Sequence, residues 1–440
     1  MNRFLVGAAW IAIYVALATA PALLLARLSP APPRDFWTEF SVALGFIGFV
    51  QILIQFVLVA RFRAITAPYG IDIILYYHRQ IGMVATLAVL THPVILIARR
   101  PAAAALLNPL AGTWGTRAGV AALLALLLVV GLSIFRRRLR IGYEAWRLSH
   151  ALLAFAAVAG SLIHIARTGV HVTAPAVLAA WVALTCVLLT PLGYNRLIRP
   201  MLAARRPYRV ARVERVADDF WTLHAEPVGH RGLAFEPGQF VWLRLHHPYS
   251  IDEHPFSILS SSQRPGHVEF GIKEVGDFTR AVGDIAPGAA VYLEGPHGAF
   301  TTDRIPSAGY IFIAGGAGIV PFISMLRTMA DRGDRRPVLL IYSGRTEDSL
   351  AYRDHLDRLA AQSDRPAFEV VYVLEQPPPG WTGPTGRPDT ALLRDLLPRE
   401  GITRDILICG PDAMIAAVER SLLELGVPAS RLHTERFELV

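Results

Sequence analysis

Apolar residues are unevenly spread along the 440-residue chain. Six apolar runs fill residues 4–27, 36–60, 74–98, 115–135, 149–168 and 175–197. Each is about as long as the roughly 20 residues a helix needs to cross a bilayer. Short segments with Pro, Arg and Gly separate them, as at Pro30-Ala31-Pro32-Pro33. The first run is too long and too poorly terminated for a cleaved leader and is read as a first span. From about residue 207 the period changes. Tyr208–Val213, Trp221–Ala225 and Phe240–Leu245 alternate like strands, with Gly/Pro breaks every 8–12 residues. That rhythm predicts a small antiparallel β-barrel. Apolar strands at 309–314, 338–342, 369–374 and 405–409 then alternate with helical stretches, as in an open α/β sheet. The expected fold is multi-domain: a six-helix transmembrane bundle (1–200), an antiparallel β-barrel domain (207–302) and an α/β nucleotide-binding domain (307–440).

Charge sharpens this division. Residues 1–200 hold 17 Arg against four acids, Asp35, Glu39, Asp72 and Glu144, whereas the whole chain carries only +8. A basic apolar half therefore precedes a mildly acidic mixed half. The positive charge clusters at the ends of apolar runs, which argues against nucleic acid as a partner. The denser arginine set is Arg3, Arg61, Arg63, Arg136–Arg138, Arg140, Arg196, Arg199, Arg205 and Arg206. Arginine-rich short loops stay inside. The N-terminus and everything after residue 200 are thus expected in the cytoplasm, with the spans in the cell (inner) membrane. Two cysteines, Cys186 and Cys409, are too few for a Cys₄ iron–sulfur cluster or a disulfide framework. The single lysine, Lys273, reads as codon bias.

Four histidines lie inside the apolar runs. His78 and His92 are 14 residues apart on the third run, as are His150 and His164 on the fifth. Fourteen residues turn a helix through about 1400°, within about 40° of four full turns, and rise about 21 Å. Each helix then shows two imidazoles on one face, one near each leaflet. If the two parallel helices are neighbours, His78 faces His150 and His92 faces His164, and each pair can clamp one haem iron. The bland reading of any one of them is a polar residue hydrogen-bonded at a span end; the repeated spacing favours ligation. Arg79 and Arg147 flank the inner pair, placed either to meet haem propionates or to snorkel to headgroups. Phe155 lies between the levels, where plain packing is the better reading. His171, past Gly169, is expected to be a spectator or substrate-side residue.

The second half carries glycine motifs. After His254-Pro255-Phe256-Ser257 comes Gly276-Asp277-Phe278-Thr279, where Gly276 permits a tight turn and Asp277 can start a helix. The backbone N–H groups of 277–279 would then face a pyrophosphate, with a further contact from the Thr279 hydroxyl. The strand Tyr310–Ala314 runs into Gly315-Gly316-Ala317-Gly318-Ile319-Val320-Pro321. This is not the Gly-x-Gly-x-x-Gly fingerprint, but it still sets glycines between a strand and a helix. A second strand ends in Cys409-Gly410-Pro411.

Together these motifs resemble the ferredoxin–NADP reductase superfamily in its NADPH oxidase and ferric reductase branch: a ferric reductase-like transmembrane domain fused to an FAD/NAD(P) module, of bacterial type. His254 stands where that superfamily commonly has Arg; the His-Pro-Phe variant is typical of the membrane branch. The resemblance implies that Pro255, Phe256 and Ser257 line the isoalloxazine and that 276–279 hold the FAD pyrophosphate. It implies that Gly315, Gly316, Gly318 and Pro321 hold the nicotinamide dinucleotide and that Cys409, Gly410 and Pro411 border the nicotinamide. Ser343 and Arg345 would lie at a 2′-phosphate, favouring NADPH over NADH. Phe437 would cover the flavin and move aside for the nicotinamide.

The expected activity is transmembrane electron transfer from cytoplasmic NAD(P)H through FAD and two b-type haems to an outer acceptor, either dioxygen, giving superoxide, or ferric iron. Besides the membrane lipid and this acceptor no partner is required, though a protein partner is compatible. The alternatives are a flavin reductase-type membrane protein supplying a quinone or periplasmic protein and, least favoured, a metal transporter using the same histidines.

Overall fold

A computed structural model describes residues 3–28, 34–61, 71–110, 112–361, 368–398 and 403–436. Two compact units emerge. The first, Met1–Arg61 with Ile74–Arg196, is helical. It contains α1 (Arg3–Leu28), α2 (Phe36–Leu58), α3 (Ile71–Arg99), α4 (Trp114–Phe135), α5 (Tyr143–Thr168) and α6 (Pro175–Gly193). Asp35 caps α2 by accepting from the Thr38 N–H at 3.2 Å, and Thr113 precedes α4 in the same role. Among the described residues, five helices are long and apolar enough to cross a membrane: α2 to α5, and α6 with its continuation to Ala204. The first expected span lies in α1, whose apolar stretch Ala8–Leu24 is shorter. The fifth begins at Tyr143, earlier than expected, because the polar turn before Ser149 is also helical. Helix α2 is the most enclosed, with Phe49, Val50 and Leu53 buried against Trp181 of α6 and Ala157 of α5. Large apolar side chains such as Leu87, Val94 and Leu152 stay exposed, as on a surface facing lipid.

The second unit, from Leu197, holds two sheets. A short helix α7 (Arg199–Ala204) leads to β1 (Tyr208–Ala217), β2 (Phe220–Pro227), β3 (Phe240–Leu245), β4 (Glu253–Ser257), β5 (Val268–Lys273) and β6 (Ala290–His297). These form an antiparallel sheet in the order β4-β3-β6-β1-β2-β5. A bridge from Ile258, just after β4, to Phe270 of β5 links its two ends. Alternation turns Leu223, Ala225, Val268, Phe270 and Ile272 into one core. One turn of helix, α8 (Asp277–Arg280), follows β5.

The second sheet is parallel, in the order β11-β10-β7-β8-β9. Its strands are β7 (Tyr310–Gly315), β8 (Val338–Gly344), β9 (Phe368–Leu374), β10 (Asp405–Gly410) and β11 (Leu432–Arg436). Helices α9 (Ile319–Arg332), α10 (Arg353–Ala360), α11 (Thr390–Leu396) and α12 (Asp412–Glu424) join or flank them. Strand β11 has no apolar alternation to announce it; His433, Thr434, Glu435 and Arg436 are a strand through pairing with β10. From β7 the chain moves one way to β8 and β9, then returns past β7 to β10 and β11. The reversal falls between β7 and β10, where open α/β sheets bind ligands beyond the carboxyl ends of their strands.

Buried charge fixes the first sheet. Arg244 of β3 reaches Glu253 at the start of β4 and, at 2.8 Å, Glu294 of β6, which also meets Arg199 at 2.7 Å. Removing the cation from a buried charge cluster is far costlier than replacing the whole cluster. Arg244→Leu is expected to destabilise this unit by about 3–5 kcal/mol, read as an earlier midpoint for thermal release of flavin fluorescence.

Candidate functional site

The histidine ladders form as the spacing predicts. His78 and His150 face each other with ring centroids 6.3 Å apart, and so do His92 and His164. Two imidazoles bound to opposite sides of one metal, at about 2.0–2.1 Å per bond with about 1.2 Å from each nitrogen to its ring centre, give this separation. The rings are also aimed. His92 Nδ1 lies 2.9 Å from the Ser41 carbonyl oxygen and 3.0 Å from the Ser41 hydroxyl. His164 Nδ1 lies 2.9 Å from the Gly115 carbonyl oxygen, and His150 Nδ1 lies 3.1 Å from Ser133 Oγ. Trp146 donates to that Ser133 oxygen at 3.2 Å. With Nδ1 engaged, Nε2 is the nitrogen left for a metal. His78 Nδ1 is buried with no hydrogen-bond partner among the described residues. Gly119 lets α4 meet the ring of His164, since a Cβ there would sit 2.6 Å from Nδ1. These donors, facing ring pairs and close backbone fit a bis-imidazole group at each level.

The neighbours sort out differently. Phe155 packs on Phe56 at 5.4 Å. Arg147 lies over the Tyr143 ring at 5.7 Å, and Arg79 is exposed. His171 Nε2 is 2.9 Å from Glu39 and 3.0 Å from Arg34, within an ion-paired cluster apart from either ring pair.

In the second unit the two motifs read for the flavin come together. The His-Pro-Phe-Ser segment closes β4. His254 and Phe256 share a face of that strand, and Phe278 packs on both, at 4.2 and 5.9 Å. His254 Nε2 is 2.6 Å from Asp252. On the opposite face the Ser257 hydroxyl is buried without a partner among the described residues. The Thr279 hydroxyl is turned into its own loop, accepting from the Val275 and Gly276 N–H groups at 2.8 and 2.9 Å and donating to the Gly276 carbonyl at 3.0 Å. There it shapes the turn.

The glycine turns after β7 and β10 also meet. A Cβ on Gly318 would lie 2.0 Å from the Cys409 carbonyl oxygen, so only glycine allows the two backbones this close. Gly410 approaches Gly315, Pro411 borders the same turn, and Pro321 is buried in the first turn of α9. Cys409 is buried in register with Ala314 and Glu435. Ser343 lies one residue before the end of β8, beside Gly315, and Arg345 follows the strand, exposed. Phe437 lies outside the described residues. Lys273, set aside on sequence, ends β5 with its ammonium 3.6 Å from the Cβ position of Gly316 and 3.2 Å from Asp219. No sequence period signals this; it depends on how the two sheets dock. The serine run 260–262 is part of that docking: Ser324 donates to the Ser260 carbonyl at 2.8 Å, and Thr328 accepts from the Ser262 N–H at 3.0 Å.

A polar cluster lies nearby. Glu269 meets Arg327, His224 and His267. Burial would raise its carboxyl, but the His224 hydrogen bond and the Arg327 charge outweigh burial and hold it at about 2. His355, 3.1 Å from Arg327, is pushed down to about 4 by burial and by the Arg327 and Arg358 charges.

Comparison with known proteins gives three family matches. Residues 44–161 match the ferric reductase like transmembrane component, 206–300 an FAD-binding domain, and 312–420 an oxidoreductase NAD-binding domain. Ferredoxin–NADP reductase B of Sorangium cellulosum is 32% identical over 49% of this chain and 91% of its own length. The reductase component of propane 2-monooxygenase from Rhodococcus jostii is 32% identical over 52% of this chain. NADH-cytochrome b5 reductase 1 of Pyricularia oryzae is 30% identical over 41% of this chain. The chain spans 62% and 61% of these last two proteins.

The Gly318–Cys409 contact gives a direct test. Gly318→Val must push the two nucleotide turns apart, and a shift of about 1 Å in a reacting geometry can cost ~10²-fold. NAD(P)H-dependent flavin reduction is expected to fall by about that factor in stopped-flow traces, with bound flavin retained.

Proposed function

The chain belongs to the ferric reductase-like transmembrane family with a ferredoxin–NADP reductase-type FAD and NAD(P) module, and is an NAD(P)H-dependent oxidoreductase; from that premise we propose that it carries electrons from cytoplasmic NAD(P)H, through FAD and two b-type haems, across the cell membrane to dioxygen or ferric iron. The observation that carries this reading is the repeated 6.3 Å imidazole pair, with Nδ1 anchored on three of the four rings. When bound, the flavin supplies the conversion of a hydride into single electrons and the haems supply a one-electron relay. The protein supplies ligation, spacing and access.

In this reading His78 and His150 hold the inner group and His92 and His164 the outer one. Ser41, Ser133 and the Gly115 carbonyl fix the rings of His92, His150 and His164. The rungs stand about 21 Å apart along the helices. An inside-negative potential favours outward electron movement by about 2.3 kcal/mol per charge per 100 mV. A sixth span in α1 and closure of the first sheet through Ile258 into a barrel belong to the same proposal. So do the domain limits 1–200, 207–302 and 307–440.

The isoalloxazine is assigned to Pro255, Phe256 and Ser257, whose buried hydroxyl offers a hydrogen bond. His254 packs on Phe278 and so ties that strand to the 276–279 turn, whose 277–279 N–H groups serve the pyrophosphate. The dinucleotide is assigned to the crevice at the sheet reversal, with Gly315, Gly316, Gly318 and Pro321 on one wall and Cys409, Gly410 and Pro411 on the other. Lys273 stands beside Gly316 to balance a phosphate. Ser343 and Arg345 are assigned to the 2′-phosphate, and Phe437 to the far face of the flavin.

Two measurements test the proposal. In purified His92→Ala, haem per chain is expected to fall from two to about one, and reduction of external ferric citrate or superoxide formation should disappear while NAD(P)H still reduces the flavin. Full outward transfer in that variant would remove the outer haem from the path. In Arg345→Ala, the NADPH/NADH ratio of kcat/KM should fall about tenfold, the value of one charge-assisted hydrogen bond; an unchanged ratio would end the 2′-phosphate assignment.

A further inference from the structure

The outer face of the first sheet carries an arrangement that electron transfer does not use. His224 on β2 is the direct cross-strand neighbour of Glu269 on β5. His267 stands two residues before Glu269, so alternation puts its side chain on the same face. The three side chains converge through single atoms. His224 Nδ1 is 3.3 Å from His267 Nε2 and 3.3 Å from Glu269 Oε1, and His267 Nε2 is 3.0 Å from the same oxygen. Ligand atoms around one tetrahedral metal, each about 2.0–2.1 Å from it, stand roughly 3.3–3.4 Å from one another. The triangle is close to that size.

Hydrogen bonding alone leaves it unsatisfied. His224 Nε2 faces the Glu214 carboxylate at 3.3 Å. Nδ1 faces Glu269 at the same distance; an ionised carboxylate only accepts, so the one N–H of a neutral ring serves one carboxylate and leaves the other nitrogen a bare lone pair. That lone pair points at a carboxylate oxygen, and a single proton on His267 Nε2 cannot bridge all three edges. A cation at the centre satisfies every atom: a metal ion, or a second proton on His224.

The surroundings favour the metal. A ligating histidine commonly gives its other N–H to a carboxylate, as His224 does to Glu214. Glu269 is steadied by Arg327 through its other oxygen. The triangle opens on a cavity of about 370 Å³ lined by His267, Glu269, Arg327, His355 and Ser260, with room for water in a fourth position. Two imidazoles and one carboxylate with an open position suit Zn²⁺ and its first-row divalent neighbours, whereas Ca²⁺ and Mg²⁺ take all-oxygen sites.

We propose that His224, His267 and Glu269 bind a divalent transition metal of the Zn²⁺ type, where the antiparallel sheet packs against α9 and α10. The ion would cross-link β2 to β5 and hold Glu269, and through it Arg327, at the junction of the two sheets. This site is independent of the haem assignment.

The test uses the full-length protein with its haem and flavin bound, treated with chelator, exposed to Zn²⁺ and dialysed. The expected result is one zinc retained per chain, with nitrogen and oxygen ligands at about 2.0–2.1 Å in zinc-edge X-ray absorption. His267 is partly exposed, with 34% of its side chain accessible, so His267→Ala should keep its flavin spectrum and lose the zinc. Glu214→Gln should weaken zinc by about 10–100-fold, as loss of an orienting carboxylate does. Retention unchanged in His267→Ala, or no zinc retained by the wild-type chain, overturns the proposal.

Discussion

An imidazole set in hydrocarbon must satisfy two nitrogens without water. In the helical unit that constraint determines which atom is left over. Ser41, the Gly115 carbonyl and Ser133 engage Nδ1 on three of the four rings, each from a helix other than the one that carries the histidine. A ring fixed in this way cannot turn, and Nε2 is left facing its counterpart. The same separation at both levels follows from helix geometry: fourteen residues bring the second imidazole back to the face of the first. The helices are therefore placed by what their histidines need as much as by apolar packing. Gly119 shows this, because its missing Cβ is the space the His164 ring occupies.

The parallel sheet meets a related constraint in the opposite way. At the reversal between β7 and β10, strands end and helices begin, and the first N–H groups of a helix have no partner within the helix itself. Where the helical unit fixes Nδ1 on three of its four facing imidazoles, this unit has side chains missing at Gly318 and Gly410, so that backbone lies against backbone. Lys273 and Ser343 bring polar side chains to the edge of that crevice from two different sheets. The first unit holds ring nitrogens ready and the second holds amide hydrogens ready, which matches the kinds of group the proposed function assigns to each.

Features encoded within one element were legible in the sequence. The histidine spacing on each helix, the glycine turns after two apolar strands and the division of the chain into apolar and mixed halves all follow from local periods. Features needing two elements were not. Nothing in the sequence pairs His92 with Ser41, 51 residues away, or sets His224 opposite Glu269, because strand register depends on the whole sheet. Strand β11 has no apolar pattern because its identity comes from β10. The bonds of the Thr279 hydroxyl to its own turn were not legible either, because a hydroxyl near a turn serves its own backbone as readily as a ligand. Lys273 was dismissed on composition, yet its position at the end of β5 puts it beside Gly316.

The strand that carries the flavin motif shows why buried charge is retained. In the hydrogen-bonded order of the sheet, β4 is a terminal strand, with a ladder on one side only. Such strands slip and fray more easily than central ones, and a one-residue slip would exchange His254 and Phe256 for Pro255 and Ser257 on each face. The ladder alone specifies this register weakly, since Pro255 gives it no N–H. Two contacts supply the missing specification. Glu253, at one end, is held by Arg244, which also holds Glu294 on β6. Near the middle, Phe278 packs against both His254 and Phe256. The charge cluster adds little net stability over an apolar substitute. Its use is directional: a carboxylate can meet Arg244 in one register only, and that register turns the Ser257 hydroxyl away from the aromatic face.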